Sequence, residues 1–192
     1  IIGAMLISPL MSPILGIGLS VGINDRQLLS QALHNFVIAI VVTLLTSFIY
    51  FYAISPFSLP TEEIMSRTKP TILDVVVALF GGIAGIVAGS HKDKTNALPG
   101  VAIATALMPP LCAAGYGLAK ADFAIWWGAI YLFFINAVII AIATYGLVRF
   151  LDFPLHQHIN QKEKLKTNAF IAIFVVILLS LIHISEPTRQ KP

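Results

Sequence analysis

Long apolar runs alternate with short polar turns along the whole chain, and the runs are of membrane-spanning length. Ile1 to Val21 is apolar, with Pro9 and Pro13 inside it and Gly16, Gly18 and Gly22 near its end; the turn GINDRQ follows. Leu28 to about Ser55 is uninterrupted and closes on Phe48, Tyr50, Phe51 and Tyr52, the aromatic belt of a membrane interface. Ser55 to Pro70 is a polar loop carrying Pro56, Pro60, Pro70, Glu62, Glu63, Arg67 and Lys69, with one surface helical turn expected after Thr61. Thr71 to Ser90 is apolar again and spaces Gly81, Gly85 and Gly89 four apart, a face on which a neighbouring backbone can approach closely. The loop His91 to Asn96 leads into Leu98 to Leu118, whose middle carries Pro109 and Pro110. Phe123 to about Phe150 opens with Trp126, Trp127 and Tyr131, and a last apolar segment covers 167–178. The pattern predicts an all-α integral membrane protein of about six transmembrane segments, two of them, 1–21 and 98–118, broken by Pro and Gly.

Composition strengthens this reading. Of 192 residues, 57% are hydrophobic and 11% charged, against about a quarter charged in soluble domains; mean hydropathy is +0.88. The formal charge of +3 therefore speaks to topology, not to nucleic acid. Loops after the first, third and fifth spans hold Arg26, Lys92, Lys94, Arg149, Lys162, Lys164 and Lys166, whereas the alternate loops hold Arg67, Lys69 and Lys120. The first set is expected to be cytoplasmic, giving a multi-pass protein of the cytoplasmic membrane. Cys112 is the single cysteine, which excludes an internal disulfide and a cysteine metal cluster.

The ends suggest a domain plan. Residues 1–154 form the membrane domain, with further sequence expected before Ile1; 155–166 is a polar basic linker; 167–178 is a truncated last helix. In 179–192, Leu179 to Arg189 reads as the in-frame translation of a transposon-type sequencing adapter and is set aside as an artefact.

The two proline-bearing runs resemble each other. At an offset of 97 without gaps, Gly3, Leu10, Met11, Pro13, Gly18 and Asp25 fall on Gly100, Leu107, Met108, Pro110, Gly115 and Asp122, and Ser8 falls on Thr105. Each copy is followed by a turn, an Asp and a long span. The copies are the first and fourth spans, three apart in order, so a true duplication would run them in opposite directions, as inverted three-helix repeats with a site near mid-membrane. Met11 and Pro13 would then face Met108 and Pro110.

At GAMLISPLMSPILGIGL and NALPGVAIATALMPPLCAAGYGLA the chain resembles the prokaryotic membrane proteins of the domain of unknown function 389 family, over roughly Ile1 to Pro154. The resemblance implies a multi-span cytoplasmic-membrane protein, usually with a further helix before the first broken span and often a soluble domain upstream. It implies no reaction or substrate.

No HExxH, GxSxG, CxxC or Walker pattern is present, so neither enzyme, cofactor nor metal is expected. Asp25 and Asp122 precede long spans as helix caps would, and Asp74 sits in a first turn, where the helix dipole favours it. The candidate chemistry lies in the broken helices. A proline cannot donate to the carbonyl four residues back, so Pro9, Pro13, Pro109 and Pro110 free the carbonyls of Met5, Pro9, Thr105 and Ala106. Ser8 and Ser12 share a helix face, and Thr105 lies beside a freed carbonyl. Ser8, Pro9, Ser12, Pro13, Thr105, Met108, Pro109 and Pro110 are therefore the expected solute or ion pathway. The same hydroxyls could equally serve only to patch the local kinks. His34 and Asn35 are candidates for a proton or polar relay, and Asn136, one turn from the repeat position of Asn35, for a relay or interhelical hydrogen bond. The expected function is a transporter or channel for a small solute or ion; the alternative is an anchoring or sensing module for an upstream soluble domain. The bilayer is the expected partner, and a homo-oligomer is compatible with the pattern.

Overall fold

The computed structural model describes residues 10–54, 61–90 and 97–151. Ser8, Pro9, the basic loop after Ser90, the linker, the 167–178 segment and the tail lie outside the described residues. Among the described residues every regular element is a helix: α1 (Met11–Ile23), α2 (Arg26–Ile49, continued by a π turn, Tyr50–Ile54), α3 (Glu62–Ser66), α4 (Ile72–Ser90), α5 (Ala97–Ala119) and α6 (Phe123–Phe150). Two stretches, Arg26–Ala53 and Phe123–Phe150, are long and apolar enough to cross a membrane. Met11–Ile23, Ile72–Ala88 and Ile103–Ala119 are shorter apolar helices.

The two long helices start in the same way. Asp25 is extended and its carboxylate accepts from the N–H groups of Gln27 and Leu28, both at 2.9 Å. Asp122 does the same for Ala124 and Ile125, at 3.1 and 3.2 Å. Each satisfies two donors that a helix start leaves unpaired. Just before them, Asn24 (φ 57°) and Ala121 (φ 54°) take the left-handed conformation. That conformation closes the turn: Asp25 N–H reaches Ser20 O and Asp122 N–H reaches Gly117 O, both at 2.9 Å. Asparagine tolerates this φ; alanine holds it at a cost of about 1–2 kcal/mol. α4 begins on a reciprocal cap, in which Asp74 accepts from Thr71 N–H and Oγ1 while Asp74 N–H donates back to Thr71 Oγ1.

The expected break at Pro109 and Pro110 does not interrupt α5, which runs through both prolines as one helix. Pro13 lies in the first turn of α1, where a missing N–H costs little. The prolines remove hydrogen bonds without ending the element.

α5 packs mainly on α6, α4 lies against both, and α1 lies against α6 and α2, while α2 meets α5. α1 and α5 touch only slightly, so the two proline-bearing helices do not face each other directly as the sequence pattern suggested. Between them sits the core: Leu10 just before α1 and Ile14 within it, Phe36 and Ala39 of α2, Leu107, Met108 and Leu111 of α5, and Phe133, Ala137 and Ile140 of α6. At one end α3 packs on a second apolar cluster, formed by α5 and α6. The helical turn expected after Thr61 forms, but it is more than a surface feature, because Ile64 is buried among Ala113, Ala114, Tyr116, Ile125 and Ala129. Arg67 ties the connecting loop down by pairing with Glu63 at 3.1 Å and Asp74 at 3.9 Å.

Candidate functional site

The centre of the helix bundle is where α5 crosses α6. Pro110 withholds the donor that Ala106 O would receive in an unbroken ladder. Asn136, near the middle of α6 and 1% exposed, supplies it: Nδ2 donates to Ala106 O at 2.9 Å. A carbonyl released by sequence is thus recaptured by a side chain from another helix. That bond fixes the amide's orientation, because a flipped Asn136 would aim its oxygen at a carbonyl. Asn136 Oδ1 is left buried and without a partner. An acceptor of this kind, in an apolar centre, favours whatever brings a donor to it.

Four of the expected site residues gather here. Met108, Pro109 and Pro110 are buried on α5 and Asn136 reaches the same helix at Ala106 O, while Thr105 is half-buried just before that carbonyl. The others separate from them. Pro13 is buried in α1, but Ser12 is exposed on it, and Ser8 and Pro9 lie outside the described residues. His34 and Asn35 are both exposed on α2, away from the core. They continue the polar stripe of Gln27, Ser30 and Gln31 in the first half of α2, while Ala32 and Phe36 are buried, so the sequence did carry a signal for the outward face.

Close helix approaches frame the centre, and most of their residues escaped the sequence reading. A Cβ on Gly18 of α1 would lie 2.5 Å from Thr144 Cβ and 2.6 Å from Ala141 O of α6. One on Gly115 of α5 would lie against Ser47 of α2, whose Oγ donates to Cys112 O at 2.9 Å in a buried bond. On α4, Gly82 meets Ile140 O and Ala143, and Gly85 meets Ile103 and Leu15. Gly85 belongs to the expected glycine face; Gly82 does not, and the Gly81–Gly82 doublet was the available signal.

The family model described as a domain of unknown function, DUF389, matches residues 5–142. The chain belongs to the DUF389 family. An uncharacterised protein of Methanocaldococcus jannaschii is 27% identical to it over 187 residues, covering 93% of this chain and 58% of that relative. The chain therefore spans little more than half the length of that relative. No solved structure matches it. The DUF389 region holds both proline-bearing helices together with Phe133 and Asn136.

One further arrangement in this DUF389 protein has a numerical regularity. Phe36 of α2 and Phe133 of α6 stack at 6.0 Å between centroids and 15° between planes, and they are 97 residues apart. The same offset relates Gly18 to Gly115, Thr144 to Ser47, Asn24 to Ala121 and Asp25 to Asp122. Thus Gly18 meets Thr144 while the glycine 97 residues after the first meets the residue 97 before the second.

Proposed function

We propose that this DUF389 chain is the core of a multi-pass transporter or channel of the cytoplasmic membrane for a small solute or ion, built from two oppositely directed repeats. The reciprocal contact carries the reading. If one half maps onto the other by a two-fold rotation, a contact between Gly18 and Thr144 requires one between Gly115 and Ser47, and a residue near the axis meets its own counterpart, as Phe36 meets Phe133. Packing also follows the rule: α1 lies on α6 as α5 lies on α2, and α1 follows into α2 as α5 into α6. The matched left-handed turns at Asn24 and Ala121 extend the correspondence beyond the proline-bearing segments. An inverted pair of this type places its site at mid-membrane between the halves, and on this reading Asn136, Pro109 and Pro110 belong to it. In this reading the conformation is a closed one, with α3 over one end. Asn136 Oδ1 favours a cation or a solute that donates hydrogen bonds.

The anchoring or sensing module is the second reading. It is favoured by the recapture of Ala106 O and the full burial of both prolines, which leave the α5–α6 crossing tightly packed. Against it stand two buried polar atoms, Asn136 Oδ1 and Thr144 Oγ1, that pure packing has no use for.

The test is flux into proteoliposomes containing the complete protein, screened over inorganic ions and small metabolites. Asn136→Leu and Thr105→Val should reduce any flux found, and Leu33→Ala, on the exposed face of α2, should leave it intact. Absence of flux for every solute, with the protein shown to be folded, favours the module.

A further inference from the structure

Ser47 and Thr144 occupy the same place in the two halves, and each faces the glycine of the other half's proline-bearing helix. Their hydroxyls nevertheless differ. Ser47 Oγ donates to Cys112 O at 2.9 Å. The offset of 97 makes Leu15 O the matching acceptor for Thr144, yet Thr144 Oγ1 is buried, at 0% exposure, with no partner. What Thr144 presents to Gly18 is its Cβ and Cγ2, at 2.5 and 2.7 Å from where a Cβ would stand.

The atoms that bound the space beside the two glycines also differ. Besides Ser47, the space beside Gly115 is bounded by Phe48 N, one residue further along α2; beside Gly18 it is bounded by Ala141 O, three residues before Thr144 on α6. One crossing makes the hydroxyl bond and the other does not.

We propose that Ser47–Cys112 and Thr144–Leu15 are alternative locks, and that the protein's second conformation exchanges them, releasing Ser47 as Thr144 engages. The inference rests on reading the halves as inverted repeats. Two halves with the same contact chemistry in different geometries can trade geometries at little net cost, since each bond lost on one side is remade on the other. A buried hydroxyl without a partner is unfavourable in a single-state protein; here it is the idle member of a pair. Because the halves run in opposite directions, the exchange loosens one face of the bundle as it tightens the other.

Spin-label distances in the complete protein with Cys112→Ala test this. One label pair spans α5 and α2 (Leu118→Cys with Ala53→Cys), and the pair 97 residues away spans α1 and α6 (Val21→Cys with Phe150→Cys). Ser47→Ala should lower the population with the short α5–α2 separation and raise that with the short α1–α6 separation. Thr144→Val should do the reverse. Each shift should be roughly five-fold in the population ratio, as one hydrogen bond of ordinary net strength gives, and Ser47→Thr should restore the starting ratio. Shifts in the same direction for both substitutions, or distances that move for neither, overturn the exchange. Reciprocal shifts without measurable flux keep the locks and remove the transport reading; flux with parallel shifts does the opposite.

Discussion

Asn136 and Ala106 are 30 residues apart and joined by a buried 2.9 Å hydrogen bond, and the carbonyl in that bond is the one Pro110 cannot serve. Removing the amide should expose the deficit. Asn136→Leu leaves a buried acceptor unpaired, at a cost of about 1–3 kcal/mol, read as a fall in the unfolding temperature of the complete protein in detergent. Pro110→Ala restores a backbone donor to Ala106 O. In that background Asn136→Leu should cost markedly less, and a double-mutant cycle with zero coupling would refute the compensation.

The close approaches of Gly18, Gly82 and Gly115 predict a ranking. Gly18→Ala and Gly82→Ala drive a methyl group into backbone carbonyls, Ala141 O and Ile140 O, neither of which can rotate away. Gly115→Ala would bring a methyl group 2.5 Å from Ser47 Cβ, which is fixed to its backbone, and displace the Oγ that bonds Cys112 O. All three should destabilise, by about 1–3 kcal/mol each, as overpacking does. Gly146→Ala has open space around it and should be neutral or stabilising by up to about 1 kcal/mol through helix propensity. Thermal unfolding of the four variants side by side checks the order.

Asp25 and Asp122 are caps, so their substitutions should track capping chemistry and not charge. Asp25→Ala and Asp122→Ala should each cost about 1 kcal/mol, while Asp→Asn and Asp→Ser at the same positions retain most of the stability. Loss of flux in the Asn variants with stability unchanged would give these carboxylates a further role.

Ile64 is the apolar plug that α3 places over Ala113, Ala114 and Tyr116. Ile64→Ala should loosen that end of the bundle at about 2 kcal/mol or more. Cys112, buried on α5 beside this cluster, is a native reporter. Its labelling rate with a maleimide should rise several-fold in the variant, and an unchanged rate would show that α3 does not gate that end.

Local signals were legible in the sequence, and distant partners were not. The starts of α2 and α6 followed from Asp25 and Asp122, because a cap acts on N–H groups two and three residues away. The released carbonyl of Ala106 was likewise implied by Pro110. Its rescue was not, since Asn136 reaches it from another helix. The expectation of a broken helix failed for this reason: proline penalties are local, but a neighbouring helix can offset them. Ser47 and Thr144 are hydroxyls within long apolar helices, where such groups can bond their own preceding turn, as Thr43 and Thr46 do. Only the positions of Gly115 and Gly18 set them apart. His34 drew attention as an ionisable group in an apolar run, yet its outward placement depends on how α2 rotates against α1 and α5.

The stacked pair Phe36 and Phe133 also bears on ancestry. A side chain that packs on its own counterpart is the mark of a self-complementary interface between identical subunits. On the repeat reading, the molecule is a homodimer written into one gene, and the two phenylalanines are where an ancestral half-length chain met itself. On the same reading, Asn136, whose counterpart is Ala39, marks a position at which the two halves differ, so the central amide belongs to one half alone.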